Sequence, residues 1–147
     1  MENSVKLHRV LKTTPEKTYR AFTTAAAFAT WLPPYGFTCT VHAFDAQIGG
    51  QFKMSFTNFT TQDSNSFGGT YIELKQNQFI KYTNYFDNPG LPGEMTVTVQ
   101  IQEVMCGTEI TILQENIPPQ IPSIMCYLGW QESLTKLAHL VEPNIQQ

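Results

Sequence analysis

Between Met95 and Gln102 the chain alternates without a break, with Met95, Val97, Val99 and Ile101 set against Thr96, Thr98, Gln100 and Gln102. A two-residue period marks a strand with one apolar and one wet face, because successive side chains leave a strand on opposite sides. A strand this long and this one-sided belongs to a sheet whose apolar face must be covered. The cover lies further along the chain. Tyr127, Trp130, Leu134, Leu137 and Val141 recur at helical spacing, Gln131, Glu132, Lys136 and His139 occupy other faces, and Pro143 ends the run. An amphipathic helix laid on a sheet follows, with Pro118-Pro119 and Pro122 stiffening its approach and Ser123 as its expected cap.

The preceding chain supplies the rest of the sheet. β-branched and aromatic residues alternate with polar ones in runs bounded by glycine, proline or asparagine, which predicts strands over 4–11, 37–46, 50–58, 67–75, 79–86, 95–105 and 108–115. The last six are joined by short links and so form an antiparallel meander. After the first strand, Thr14-Pro15-Glu16 offers a capping hydroxyl, a proline suited to a first helical position and a carboxylate at the positive end of the dipole. That helix runs to residue 22, Thr23-Thr24 interrupts it, and a second short helix over 25–32 stops at Pro33-Pro34. The predicted class is α+β.

Length and composition narrow the function. A chain of 147 residues with 41% apolar content builds one domain, taken here as 1–147. A net charge of -3 and the absence of any Lys/Arg run longer than a pair argue against nucleic acid as a partner. No apolar stretch is long enough to cross a membrane, and Met1-Glu2-Asn3-Ser4 does not open a leader, so a cytoplasmic location is expected. Cys39, Cys106 and Cys126 read as three free, buried or half-buried thiols. Asn58-Phe59-Thr60 fits a glycosylation sequon but reads as a chance match without a leader. There is no Gly-x-Ser-x-Gly elbow and no His-Glu-x-x-His helix, and His8, His42 and His139 are far apart. No catalytic residue, metal or cofactor is assigned.

Several positions carry two readings. Gly49-Gly50 is a backbone device allowing a tight turn, and Gly68-Gly69 is a bulge or a close approach between strand and helix. Gly129 interrupts the apolar stripe at some cost, either to admit a strand or to leave room for a ligand, and Trp130 beside it is core or pocket wall. Phe52, Met54 and Phe56 share a strand face and, with Met95, Val97 and Val99, line either a pocket or plain core. By alternation Tyr71 and Glu73 also share a face, with Tyr82 in the next strand. Their bland readings are a tyrosine with one buried edge, a Glu73 paired with Arg9 or Lys53, and a His42 on the wet face.

Taken in order, the motif pieces resemble a known family. Arg9, Pro15, Trp31 with Pro33, Gly49-Gly50 with Phe52, Gly69 with Glu73, and Gly129-Trp130 with Leu134 and Leu137 follow one pattern. It is that of the single-domain proteins related to the C-terminal domain of the activator of the Hsp90 ATPase (AHSA1 type), in the START/Bet v 1-like (SRPBCC) superfamily. The resemblance runs from Arg9 to Leu140. It implies the helix-grip fold: a curved antiparallel sheet of about seven strands, two short helices after the first strand, and a long C-terminal helix across the sheet enclosing a ligand cavity. It also places the second helix at the cavity mouth, with Trp31 as lid or plug. The superfamily includes lipid and hormone binders, aromatic cyclases, small hydrolases and co-chaperone domains, so the resemblance does not choose an activity. The eukaryotic activator's separate Hsp90-binding domain is not matched, and an Hsp90-type chaperone is not expected as a partner. Lys81 and Asn84 depart from the family's residues in their strand, which implies different pocket chemistry.

The expected function is non-enzymatic binding of a hydrophobic or amphipathic small molecule between the sheet and the final helix. The expected lining is Trp31, Phe52, Phe56, Tyr71, Glu73, Tyr82, Met95, Val97 and Trp130, with access governed by loops 59–66 and 87–93. The rival readings are a protein-interaction domain whose cavity is filled by its own side chains, and a small hydrolase or cyclase using an inward Glu73, His42 or Tyr82. A homodimer formed through an edge strand is compatible with this architecture.

Overall fold

The structure is a computed structural model and describes residues 3–146. β1 (Val5–Leu11) leads into α1 (Pro15–Thr23) and α2 (Ala25–Trp31). Then come β2 (Phe37–Phe44), β3 (Gln51–Asn58), β4 (Ser64–Lys75), β5 (Phe79–Phe86), β6 (Met95–Val104) and β7 (Gly107–Glu115), and α3 (Ser123–Val141) closes the series. The meander β2 to β7 builds six strands of one curved antiparallel sheet, and β1 pairs back onto β7, giving the order β1-β7-β6-β5-β4-β3-β2.

The alternation read in the sequence fixes which side of this sheet is covered. Met95, Val97, Val99 and Ile101 of β6 are buried, as are Ile110 and Ile112 of β7, while Gln100 and Gln102 are exposed. Across the sheet, α3 turns Trp130, Leu134, Leu137 and Val141 inward. Three polar contacts pin the link between α2 and β2 to α3: Ser133 Oγ donates to the Leu32 carbonyl, Lys136 Nζ donates to the Pro33 carbonyl at 2.8 Å, and Glu132 Oε1 accepts from the Tyr35 N–H at 3.0 Å. The Pro33-Pro34 stop therefore becomes a wall held against α3.

Helix boundaries follow their chemistry with one correction. Thr14 caps α1 as expected, its hydroxyl accepting from the Lys17 N–H at 3.2 Å, with Pro15 in the first turn. Ser123 does not cap α3: Pro122 occupies the cap position in extended conformation and Ser123 is the first helical residue. A proline cap fixes the direction of the chain but supplies no side-chain acceptor. Gly49 adopts φ +84° in the turn before β3, the left-handed conformation for which glycine is suited. The close approach at Gly68-Gly69 is real, but to a neighbouring strand rather than to a helix, since a Cβ on Gly69 would lie 1.9 Å from the Thr83 carbonyl oxygen of β5.

β4 begins at Ser64, three residues before the predicted start. Ser64, Asn65 and Ser66 pair with Thr57, Phe56 and Ser55, so the last three of the eight residues in the predicted 59–66 access loop are ladder. These residues read as loop because they are polar; they lie where the hairpin extends beyond the covered face, and its ladder overrides propensity.

Candidate functional site

The concave face is filled unequally. At one end α1 and α2 insert an aromatic cluster: Phe22 meets Trp31 edge-on at 4.7 Å between ring centroids, and Phe28 reaches Trp31, Phe52 and Tyr82 at 5.4, 6.2 and 6.2 Å. At the other end, between the start of β4, the end of β5 and the first half of α3, a cavity of about 760 Å³ remains. Its apolar wall is built by Phe37, Phe56, Phe67, Phe86, Ile121 and Trp130, with Leu32 and Pro34 contributed by the link between α2 and β2. Ser64, Asn65, Asp87 and Asn88 form a polar rim.

Of the nine expected lining residues, Phe52, Phe56, Tyr82 and Trp130 meet on this cavity. Trp31 and Tyr71 do not, and the reason is the end of α1. A helix leaves its last carbonyls without backbone partners, and here the Trp31 indole N–H donates to the Ala21 carbonyl at 2.8 Å while the Tyr71 hydroxyl donates to the Phe22 carbonyl at 3.1 Å. Trp31 is therefore a buried brace at the end of α1, outside the cavity lining, and is neither lid nor plug. Met95 and Val97 are also corrected: both are fully buried in the core beneath the site and neither borders the open space. Glu73 is on the wrong side altogether. A register shift between Tyr71 and Glu73 breaks the alternation, so Leu74 pairs with Ile80 and Glu73, opposite Lys81, is exposed. Neither Arg9 nor Lys53 takes it as a partner: the Arg9 guanidinium donates to the His8 carbonyl and Lys53 pairs with Asp87.

Glu73 borders a second depression, of about 850 Å³, lined largely by polar groups including Glu16, Glu103, Glu109 and Lys75. Its charged and amide side chains suit an apolar molecule less well than the aromatic wall of the first cavity. His42 is exposed and shares a hydrogen bond with Ser55 at 2.7 Å. The three acid–base candidates thus stand apart: His42 at the β2 bulge, Glu73 at the polar depression, and Tyr82 in the cavity, where burial pushes its phenol well above the ordinary value. Among the described residues no group of three His, Cys, Asp or Glu side chains is placed to hold a metal ion.

Two polar groups inside the cavity stand out: Asn84, whose departure from the family's residues implies a change in pocket chemistry, and Gln114, which no motif marks. Gln114 of β7 is buried; its Oε1 accepts from the Trp130 indole N–H at 2.9 Å and its amide nitrogen donates to Met95 Sδ at 3.2 Å. Asn84 of β5 lines the cavity, and its Oδ1 is enclosed without a hydrogen-bond partner. A signal for both exists in the strand patterns, since Gln114 is in phase with Ile110 and Ile112, and Asn84 with Ile80 and Tyr82. A polar residue in phase with an apolar face is buried, and buried polar groups require partners. Cys126 also faces the cavity, and burial raises its thiol pKa so that it stays protonated at neutral pH.

One side of the rim is clamped. Asp87, where the 87–93 loop leaves β5, takes Lys53 Nζ on both oxygens at 2.8 and 2.7 Å and the Ser66 hydroxyl at 2.6 Å. The hydrogen bond from Lys53, then that from Ser66, holds the Asp87 carboxyl below its ordinary 3.8. A depressed carboxylate contributes its stabilisation fully above the unfolded value and loses it as the pH falls through the folded one. The protection of residues 87–93 against amide exchange, taken relative to the intrinsic rate at each pH, is therefore expected to hold from neutral pH down to 3.8 and to fall only below it. Asp87→Asn should accelerate that exchange already at neutral pH; unchanged exchange in this variant would show that the loop is held by something else.

Comparison with known proteins places the whole arrangement. The family described as Activator of Hsp90 ATPase homolog 1-like protein matches residues 12–142. The chain belongs to this family. Among solved structures, a protein from Chromobacterium violaceum is 49% identical to this AHSA1-family chain, with 97% of this chain and 99% of that one covered at a TM-score of 0.95. A Rhodobacter sphaeroides protein aligns over 93% of this chain and 90% of its own at TM-score 0.82 and 21% identity. An AHSA1 protein from Silicibacter pomeroyi aligns over 92% and 95% at TM-score 0.80 and 19% identity. The last two speak for the fold alone, and together these likenesses establish the helix-grip architecture. No curated protein sequence matches. Among the described residues no helix is long and apolar enough to cross a membrane.

Proposed function

We propose that this AHSA1-family protein binds an apolar small molecule in the cavity between the sheet and the first half of α3. The observation that carries the reading is Gly129. It sits inside α3 and borders the cavity, and beyond the local backbone of its own helix a Cβ built there meets no atom within 4 Å. A glycine in a helix interior costs roughly 0.5–1 kcal/mol relative to alanine. A packed core would have filled this gap at a gain in stability, and here the gap opens into a space of about 760 Å³. Ligand pockets generally span about 300–1,000 Å³, are mostly apolar and carry a few placed polar groups. The walls described above have this character.

The same glycine supplies the test. Gly129→Ala is expected to raise stability by about 0.5–1 kcal/mol, because it gains helix propensity without a clash. Gly129→Leu extends the added side chain into the cavity and is expected to raise the melting temperature while weakening the neutral fluorescent probe N-phenyl-1-naphthylamine by at least about tenfold. Probe titration and thermal unfolding on the same samples separate the two effects. Probe affinity unchanged in Gly129→Leu would place binding elsewhere. Native mass spectrometry of the purified protein, before and after denaturation, then asks whether a natural ligand accompanies it.

A further inference from the structure

The polar groups on the cavity lining limit what kind of molecule can occupy it. No lysine, arginine or histidine is among the lining residues. The single acid there, Asp87, is held by Lys53 and Ser66. Gln114 is committed through both ends of its amide, to Trp130 and to Met95, and the Ser133 hydroxyl donates to the Leu32 carbonyl. A buried carboxylate, sulfonate or phosphate needs a cation or a set of convergent donors to replace its hydration. This lining has no cation to offer, and an anion near the rim would also face Asp87.

Among the lining polar atoms, the enclosed one that lacks a partner is Asn84 Oδ1. It has no donor in the ligand-free protein, although buried amide oxygens are ordinarily paired. The last torsion of asparagine is soft, so the amide can turn either its oxygen or its NH₂ toward a ligand at little cost. Tyr82, two residues earlier on the same face of β5, lines the cavity beside it, and its raised pKa keeps the phenol protonated across the neutral range. A group that both donates and accepts suits such a pair, and a bare hydrocarbon leaves the Asn84 oxygen unpaired.

Building on the ligand-binding reading above, we infer that the cavity selects an uncharged molecule with an apolar, ring-sized body and a hydroxyl group, and that Asn84 is the residue that distinguishes it from hydrocarbons and from carboxylic acids. Phe56, Phe67, Phe86 and Trp130 take the body, and the hydroxyl pairs with the Asn84 amide.

Three matched probes test this by calorimetric titration at about pH 7, where a naphthol is neutral and a naphthoate is ionised. They are naphthalene, 2-naphthol and 2-naphthoate. The wild-type protein is expected to bind 2-naphthol at least about tenfold more tightly than either of the others, the usual scale for one buried hydrogen bond gained or one buried charge left without a partner. Asn84→Leu replaces the amide by an apolar group of similar shape, so it should fold with at least wild-type stability and lose the preference for 2-naphthol over naphthalene. A thermal melt of the ligand-free variant checks the first point independently. Equal or tighter binding of 2-naphthoate, or a naphthol preference that survives in Asn84→Leu, overturns the assignment while leaving the cavity a binding site. If none of the three probes binds the wild-type protein, the binding-site reading falls with it.

Discussion

Trp31→Ala is expected to destabilise the protein by about 3–5 kcal/mol, the range for removing a fully buried indole from a packed core. Trp31 has no exposed surface and touches Phe22 and Phe28 edge-on, so alanine leaves a void lined by rings that cannot readily close it. The indole also supplies a donor to Ala21, one of the unpaired carbonyls at the end of α1, and its loss costs roughly 1 kcal/mol more where no water replaces it. Against a total stability of about 5–15 kcal/mol for a domain of this kind, that is a large fraction. Trp31→Phe keeps most of the volume and should cost only about 1–2 kcal/mol, chiefly the hydrogen bond. Urea unfolding of both variants gives the ranking. Probe affinity in Trp31→Phe should equal that of the wild type, since Trp31 does not border the cavity. A large change in affinity with little change in stability would restore the lid.

Trp31 also illustrates where reading the chain stops. Its position at helical spacing before Pro33-Pro34 was legible, and so were the sheet, the order of elements and the covering helix, because each follows from a local period and its punctuation. Which end of the concave face α1 and α2 would fill depends on tertiary geometry. So does the need of Ala21 and Phe22 for donors, which draws Trp31 and Tyr71 away from the site. Glu73 was misplaced for a different reason: a two-residue period holds only while the register does, and the bulge after Tyr71 turns the following residues over. Phe52, Phe56, Tyr82 and Trp130 were legible as inward-facing residues, although nothing local distinguishes a ring that borders space from one that borders another ring. Asn84 and Gln114 are the instructive pair. Both stand in phase with apolar neighbours on their strands, and an amide in that position is a stronger sign of a polar feature in the core than any single aromatic residue is of a pocket.

Gly69→Ala is expected to be damaging on the scale of a large-to-small core substitution, with a loss of about 3 kcal/mol or more, although it adds only one methyl group. The Cβ would fall 1.9 Å from the Thr83 carbonyl oxygen and within 2.9 Å of two atoms of the Phe52 ring. The first obstacle is backbone in the neighbouring strand, and the second is a buried ring packed against Phe28, Tyr71 and Tyr82, so neither can yield alone. Relief requires β4 to move away from β5, where the ladder between Gly68–Tyr85 and Tyr71–Tyr82 already relies on the Thr70 N–H donating to the Thr83 hydroxyl at 3.0 Å. Gly129→Ala, with nothing in reach of its methyl, should shift stability in the opposite direction, so thermal melts of the two variants make a paired test. A Gly69→Ala protein within about 1 kcal/mol of the wild type would mean that β4 and β5 can separate here at little cost. That separation would also displace Tyr82 and Asn84, which β5 carries on the adjoining stretch. Gly69 thus joins stability to the site: the close contact it permits between β4 and β5 is what holds the cavity's polar pair in place.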